Sequence, residues 1–272
     1  MATILGIDLG SFSVKVARIE QGFRTVHLAS IEEERVPEPG DGTPLPSPIR
    51  RHEISLNSEL AQAEEPTAEV PVDSLLDRQM RALMTILGRQ KIRAESCAIG
   101  ISEDLTLRLV EMPLSDPKKV AQTLPFELAG QLMDDLEGHV VDQLPANAPS
   151  GSGSSLWLAG CARQSVVESR ILSMSPLGLD PKVCGATALA TAALWVQSKS
   201  GAMPQKDLPL WVIDIGHRMT HVCALAAHPK RVGQVLVQFA RTIPRGGLQI
   251  TESLSKHLSI GLIAAEKLKH EN

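Results

Sequence analysis

The chain has 272 residues, enough for one large domain or two modest ones. With 43% hydrophobic and 21% charged residues it can bury a real core, and a formal net charge of −4 leaves no basic footprint for nucleic acid. The start, MATILGIDLG, lacks the basic flank of a signal peptide, and the most apolar later stretch, Ala186 to Val196, is too short to span a bilayer. A soluble chain with no membrane span of its own is expected.

Thr3 to Leu9 reads as a buried strand meeting a turn at Asp8 and Gly10. Val14 to Glu20 alternates as the second arm of a hairpin, and Val26 to Ile31 as a third strand. From Val36 to Val72 prolines, glycines and charges replace periodic apolar residues, which predicts a mobile insertion. Leu75, Leu76, Met80, Leu83, Met84 and Leu87 then fall at helical spacing, with Gly88 near the stop.

Strands are predicted over Ser96–Ile101 and Leu105–Met112, then a helix from the N-cap Asp116 to about Leu132, kinked at Pro125. Val140–Leu144 and Leu156–Cys161 pair as strands across a flexible ANAPSGSGSS connector, and Gln164–Met174 is helical. Val183 leads into an alanine-rich helix, Thr187–Gln197. Leu210–Ile215 is a second apolar strand ending in Asp and Gly, followed by hairpin strands Thr220–Ala227 and Gly233–Thr242 and helices Leu248–Leu258 and Leu262–Lys269. The order strand, DxG turn, strand, strand, helix thus occurs twice, the outline of paired ribonuclease-H-like halves.

In each DxG turn a buried strand carries a carboxylate to the sheet edge, and glycine lets the backbone turn into an anion cradle. Asp8 and Asp214 are the candidate metal residues, each suited to a hydrated Mg²⁺. Gly10 and Gly216 form the turns, Ser11, Ser13 and Thr220 can donate to phosphate oxygens, and Lys15 adds a point charge. A single DxG is an ordinary turn. Two facing copies are what an interdomain nucleotide cleft requires.

ILGIDLGSFSVKVARIE resembles the first phosphate segment of the actin, heat-shock-70 and sugar-kinase superfamily, and WVIDIGHRMTHVCAL its second. Arg245, Gly246, Gly247 and Thr251, continuing to Ala265-Glu266-Lys267-Leu268-Lys269, are similar to the RxxGGxxxT…AExxK stretch of the FtsA and PilM branch. That resemblance implies that Glu266 and Lys269 approach the adenosine, with Gly246 and Gly247 also in the cofactor site. SEDLTLRLVEMPLSDPKKVAQTLPFELAGQL resembles the small subdomain of PilM, FtsA and the type II secretion protein GspL.

The implied fold is α/β, a ribonuclease-H-like actin/heat-shock-70 ATPase fold with an inserted small FtsA/PilM-type subdomain. Its expected division is 1–35 with 160–205 as the first ribonuclease-H-like subdomain, 36–72 as the insertion, 73–159 as the small subdomain, and 206–272 as the start of the second, incomplete one. The glycine-rich adenosine motif that follows AExxK in relatives has no counterpart before Asn272.

The function this implies is a cytoplasmic scaffold, peripheral to the inner membrane, of a type IV pilus or type II secretion platform. ATP and Mg²⁺ are the implied cofactors. A bitopic platform protein (PilN-like or GspM-like) and the assembly motor ATPase are the implied partners. An active ATPase or kinase and an FtsA-like division filament are the alternatives, and the bulky His217-Arg218-Met219, where relatives prefer small residues, weighs against hydrolysis. His217 and His221 flank a turn and read as ordinary polar residues, Asp134 and Asp135 as a solvated surface, and no catalytic residue is assigned. The four cysteines form no CxxC pair, which predicts reduced thiols, three of them in apolar runs.

Overall fold

A computed structural model of the protein describes residues 2–23, 25–38, 74–90, 96–102, 105–130, 136–146, 154–198, 209–228 and 234–271. Most of the predicted insertion, Asp134, Asp135 and the middle of the ANAPSGSGSS connector lie outside the described residues.

Alternation along β1 (Ala2–Leu9) and β2 (Ser13–Gln21) turns Leu5, Ile7, Leu9, Val14 and Val16 to one face, where all are buried. β3 (Val26–Arg35) completes an antiparallel meander, four residues longer than the apolar run suggests because charged residues occupy its end. Helix α1 (Leu75–Gln90) lays Met80, Leu83 and Ile86 onto that buried face, and Gly88 falls within its last turn. Burial of side chains of this size stabilises by roughly 1.5–3 kcal/mol each. The chain then returns as β4 (Ser96–Ile101), parallel to β1 with Ile7 opposite Ile99.

Next come β5 (Leu105–Met112), α2 (Pro117–Ala129), β6 (His139–Pro145) and β7 (Ser155–Arg163), forming a separate antiparallel sheet in the order β5-β7-β6. The Asp116 side chain accepts from Lys118 N at 3.0 Å and starts α2 as expected. Val120, Leu124 and Leu128, spaced four apart, pack on Val110, Met112 and Trp157, and this continuous stripe carries the helix through Pro125. Helix α3 (Gln164–Met174) and a 3₁₀ turn lead to β8 (Pro181–Ala186), which joins the first sheet beside β4. The first sheet therefore runs β3-β2-β1-β4-β8.

Two features differ from the sequence-based division. α1 and β4 fall within the expected 73–159 subdomain, yet they belong to the first sheet and its core, because β4 pairs with β1 through a parallel crossover. β7, which that division cuts at 160, stays whole in the small sheet to Arg163. β8 is a strand the sequence reading did not name. PKVCGA has neither alternation nor an apolar run, and backbone pairing with β4 supplies its order.

Helix α4 (Thr187–Ser198) buries Ala188 and Ala192 against the second half, where β9 (Leu210–Ile215), β10 (Thr220–Ala227) and β11 (Val235–Ile243) pair in the order β11-β10-β9. These small side chains allow close approach to Cys223 and Leu225. Leu107 and Leu158 of the small sheet share the same core, so that sheet is packed on the second half. Helices α5 (Gly247–Leu258) and α6 (Leu262–Glu271) close the described chain. Cys97, Cys161 and Cys223 are buried and Cys184 is exposed, all four as free thiols. No helix among the described residues is long and apolar enough to cross a membrane.

Candidate functional site

Strand alternation that sends Leu5, Ile7 and Leu9 into the core sends Asp8 to the opposite face, directly across the ladder from Lys15. A Cβ on Gly10 would stand 2.5 Å from the Ser13 carbonyl oxygen, so the turn closes only around glycine. β9 repeats the arrangement. Asp214 pairs with His221, and a Cβ on Gly216 would stand 2.9 Å from the Met219 carbonyl oxygen. The two turns thus share one geometry, a glycine two residues after the aspartate folded against a carbonyl three residues on.

The turns face each other over a cleft of about 450 Å³. Asp8, Gly10, Ser11, Ser13 and Lys15 line it from the first half. Asp214, Gly216, Gly247, Glu266 and Lys269 line it from the second. Thr220 and Gly246, the remaining predicted residues, stand behind the second turn. The Thr220 hydroxyl donates to the Arg245 carbonyl at 2.7 Å, and a Cβ on Gly246 would meet the Gly216 carbonyl at 2.3 Å.

Burial pushes the Asp8 carboxyl above its ordinary range, Lys15 pulls it back, and the charge of Asp214 raises it further. Two carboxylates that feel each other across a cleft mark a place where a cation is favourable. Lys15 Nζ lies 4.0 Å from Asp8 and 3.9 Å from Glu33, and the Ser13 hydroxyl donates to Glu33 at 2.5 Å. Buried His221 is pushed toward its neutral form by desolvation, opposed by Asp214 and Asp8, and its Nδ1 lies 3.0 Å from the Thr242 hydroxyl.

Glu266 and Lys269 are joined on α6. Lys269 Nζ reaches both Glu266 oxygens at 2.8 and 2.7 Å, the Thr251 hydroxyl at 3.0 Å and the Gly247 carbonyl at 3.3 Å. Burial raises the Glu266 pKa, but hydrogen bonds from Lys269, Thr251 and His270 outweigh it and bring the carboxyl to about 2. The N-terminus of α5 is tied to the second turn, with Gly247 N donating to Gly216 O at 2.9 Å and Leu248 N to His217 O at 2.8 Å.

Asp8 and Asp214 suit a divalent cation, and no group of three metal-ligating side chains occurs among the described residues. The donor set therefore fits a cation that keeps most of its waters, as Mg²⁺ does. The Cβ-excluding turn at Gly10, with Ser11 and Lys15 beside it, fits a phosphate chain approaching the backbone.

Sequence reasoning missed Arg170 of α3, Thr187 of α4 and Gln79 of α1. Arg170 and Thr187 line the cleft, Thr187 accepting from the Ser102 hydroxyl at 2.9 Å, and Gln79 lies behind it. Their only sequence signal is the polar Gln79 on an otherwise apolar helix face.

The sequence matches no protein-family model and no curated protein. The structure does find relatives. A chain of the PilM–PilN type IV pilus biogenesis complex matches with a TM-score of 0.71 at 18% identity, over 98% of this chain and 69% of its own. This is the actin-like ATPase fold. The cytoplasmic domain of EpsL, an inner-membrane component of the Vibrio cholerae type II secretion system, matches at 0.46 with 11% identity, over 87% of this chain and 71% of its own. A Bacteroides thetaiotaomicron protein of actin-like ATPase fold and unknown function matches at 0.42 with 10% identity, over 95% and 78%. The actin-like fold accounts for the doubled βββα order and for a cleft between its two halves.

Proposed function

We propose that this actin-like protein is a scaffold of the inner-membrane platform of a type IV pilus or type II secretion system, and that its cleft binds Mg–ATP. The match to a chain of the PilM–PilN complex over 98% of this chain carries the reading. Nucleotide binding is supported by the paired turns that converge Asp8, Lys15 and Asp214 on one cleft. Asp8 and Asp214 hold the hydrated cation, which would neutralise the phosphates, and the turns at Gly10 and Gly216 approach the phosphate chain. Glu266 and Lys269 lie on the side expected to meet the adenosine.

The partner in this reading is the cytoplasmic segment of a PilN-like or GspM-like bitopic protein, with the motor ATPase nearby, which places the chain at the cytoplasmic face of the inner membrane. β6 lies at the edge of the small sheet with Val140 and Leu144 exposed, apolar surface of the kind that an added strand covers. That sheet shares its core with the second half, so a nucleotide that favours one arrangement of the halves also biases the partner-binding unit. Binding, rather than turnover, is the work of the cleft.

Calorimetric titration of Mg–ATP, with and without a synthetic PilN-like cytoplasmic peptide, tests this. Saturable binding that is lost in Asp8→Ala and in Asp214→Ala, and that alters peptide affinity, is expected. A folded protein that binds neither nucleotide nor peptide overturns the proposal. Steady phosphate release with ordinary enzymatic turnover favours the ATPase alternative.

A further inference from the structure

Gln79 is 1% exposed on the face of α1 that carries Met80, Leu83 and Ile86. An amide in such a setting needs its polar atoms satisfied. Its Nε2 donates to the carbonyls of Leu9 at 2.7 Å and Gly10 at 3.0 Å, and its Oε1 accepts from Arg170 Nη1 at 3.0 Å. One buried side chain thus joins the backbone just after Asp8 to a guanidinium on the cleft wall.

We propose that Arg170 distinguishes a nucleoside triphosphate from a diphosphate in this cleft by meeting the terminal phosphate, and that Gln79 is its positioning residue. This rests on the nucleotide reading of the cleft and adds the residue that reads phosphate number. Through Gln79 the guanidinium is tethered to the turn bearing Asp8, the end of the cleft suited to cation and phosphate. Guanidinium is always charged, and its planar fork matches two phosphate oxygens at once. Lys15, at the same end, is a point charge that lacks that fork. Because Gln79 grips Leu9 and Gly10 with one end and Arg170 with the other, the first turn and the guanidinium hold a common register.

The test is calorimetric titration of the full chain with Mg–ATP, Mg–ADP and Mg–tripolyphosphate. Arg170→Ala is expected to weaken ATP and tripolyphosphate by about tenfold or more, the scale of a lost charge-assisted pair, with ADP nearly unchanged. Arg170→Lys restores only part of the loss, since it lacks the fork. Gln79→Leu lowers the ATP-to-ADP affinity ratio in the same direction and adds nothing in the Arg170→Ala background. If Gln79→Leu fails to fold, Arg170→Ala alone decides the phosphate assignment. An unchanged ratio in Arg170→Ala overturns the inference and leaves the nucleotide reading standing, whereas a folded wild type that binds no nucleotide overturns both. A ratio that Gln79→Leu still lowers without Arg170 overturns the positioning role.

Discussion

The rings of Phe12 and His217 meet with centroids 5.3 Å apart, joining the turn after β1 to the turn after β9. The Arg35 guanidinium lies 4.4 Å from the same Phe12 ring, so this contact is anchored on the first half. The bulky second turn therefore holds the two halves together at the cleft.

That contact competes with any ligand that needs the turns apart. His217→Gly is expected to tighten Mg–ATP binding by roughly two- to tenfold, the range of one aromatic pair. Titration calorimetry on the wild type and the variant measures it. Weaker binding would mean that the ring contact favours the nucleotide-bound arrangement instead, and unchanged binding that it is made equally in both.

Asp8 gives a prediction about cations. Its pKa is raised by burial and by Asp214, so the carboxylate's contribution to stability is fullest at low pH and is lost as pH rises through the raised value. At neutral pH the ionised Asp8 carries a cost that Mg²⁺ relieves. Asp8→Asn is expected to melt higher than wild type without Mg²⁺, and to lose the upward shift in Tm that Mg²⁺ gives the wild type. Thermal melts across a Mg²⁺ series decide the matter. Equal Mg²⁺ responses would place the cation elsewhere.

The legible parts of this fold were those where local pattern and tertiary need agree. The duplicated strand–DxG–strand order, the Asp116 cap and the bounds of β4, β5 and α3 follow from alternation, helical spacing and a capping side chain. β8 was not legible because its order comes from pairing with β4, a partner far away in sequence. The strand-end aspartates announced a cleft through the glycines that follow them. Gln79 and Arg170 could not be read that way, since only the packing of α1 and α3 against the first sheet brings them to the turn. The small subdomain's limits were misplaced for a related reason, since sheet membership of β4 is decided by a crossover that leaves no local mark.

Glu266 sets a pH dependence. A carboxyl brought from an ordinary 4.5 to about 2 contributes stability that is present above 4.5 and lost as pH falls toward 2. Glu266→Gln is expected to be less stable than wild type at pH 7, by an amount that shrinks progressively between pH 4.5 and 2, as followed by urea unfolding. A deficit that stays constant with pH would assign the effect to packing rather than to the bonds from Lys269 and Thr251.

Two adjacent glycines separate backbone collision from side-chain crowding. Gly246 is extended, with φ −160°, so alanine there meets no dihedral penalty. Its Cβ would nonetheless stand 2.3 Å from Gly216 O and 2.7 Å from His217 O, backbone atoms of the second turn. Relief requires α5 to back away, lengthening the bonds from Gly247 N and Leu248 N that tie its first turn to the cleft. Gly246→Ala is therefore expected to cost about 2–3 kcal/mol, the scale of overpacking, and to weaken Mg–ATP binding as well. At Gly247 the closest obstacle is the Lys269 ammonium at 3.2 Å, the movable end of a long side chain, and the position is helical. Gly247→Ala should change stability little, because the end of the Lys269 side chain can shift by the few tenths of an ångström the contact needs. Denaturant unfolding of both variants compares them directly. A Gly246→Ala loss as small as that expected for Gly247→Ala would show that the second turn yields freely, and that α5 is not held by its carbonyls.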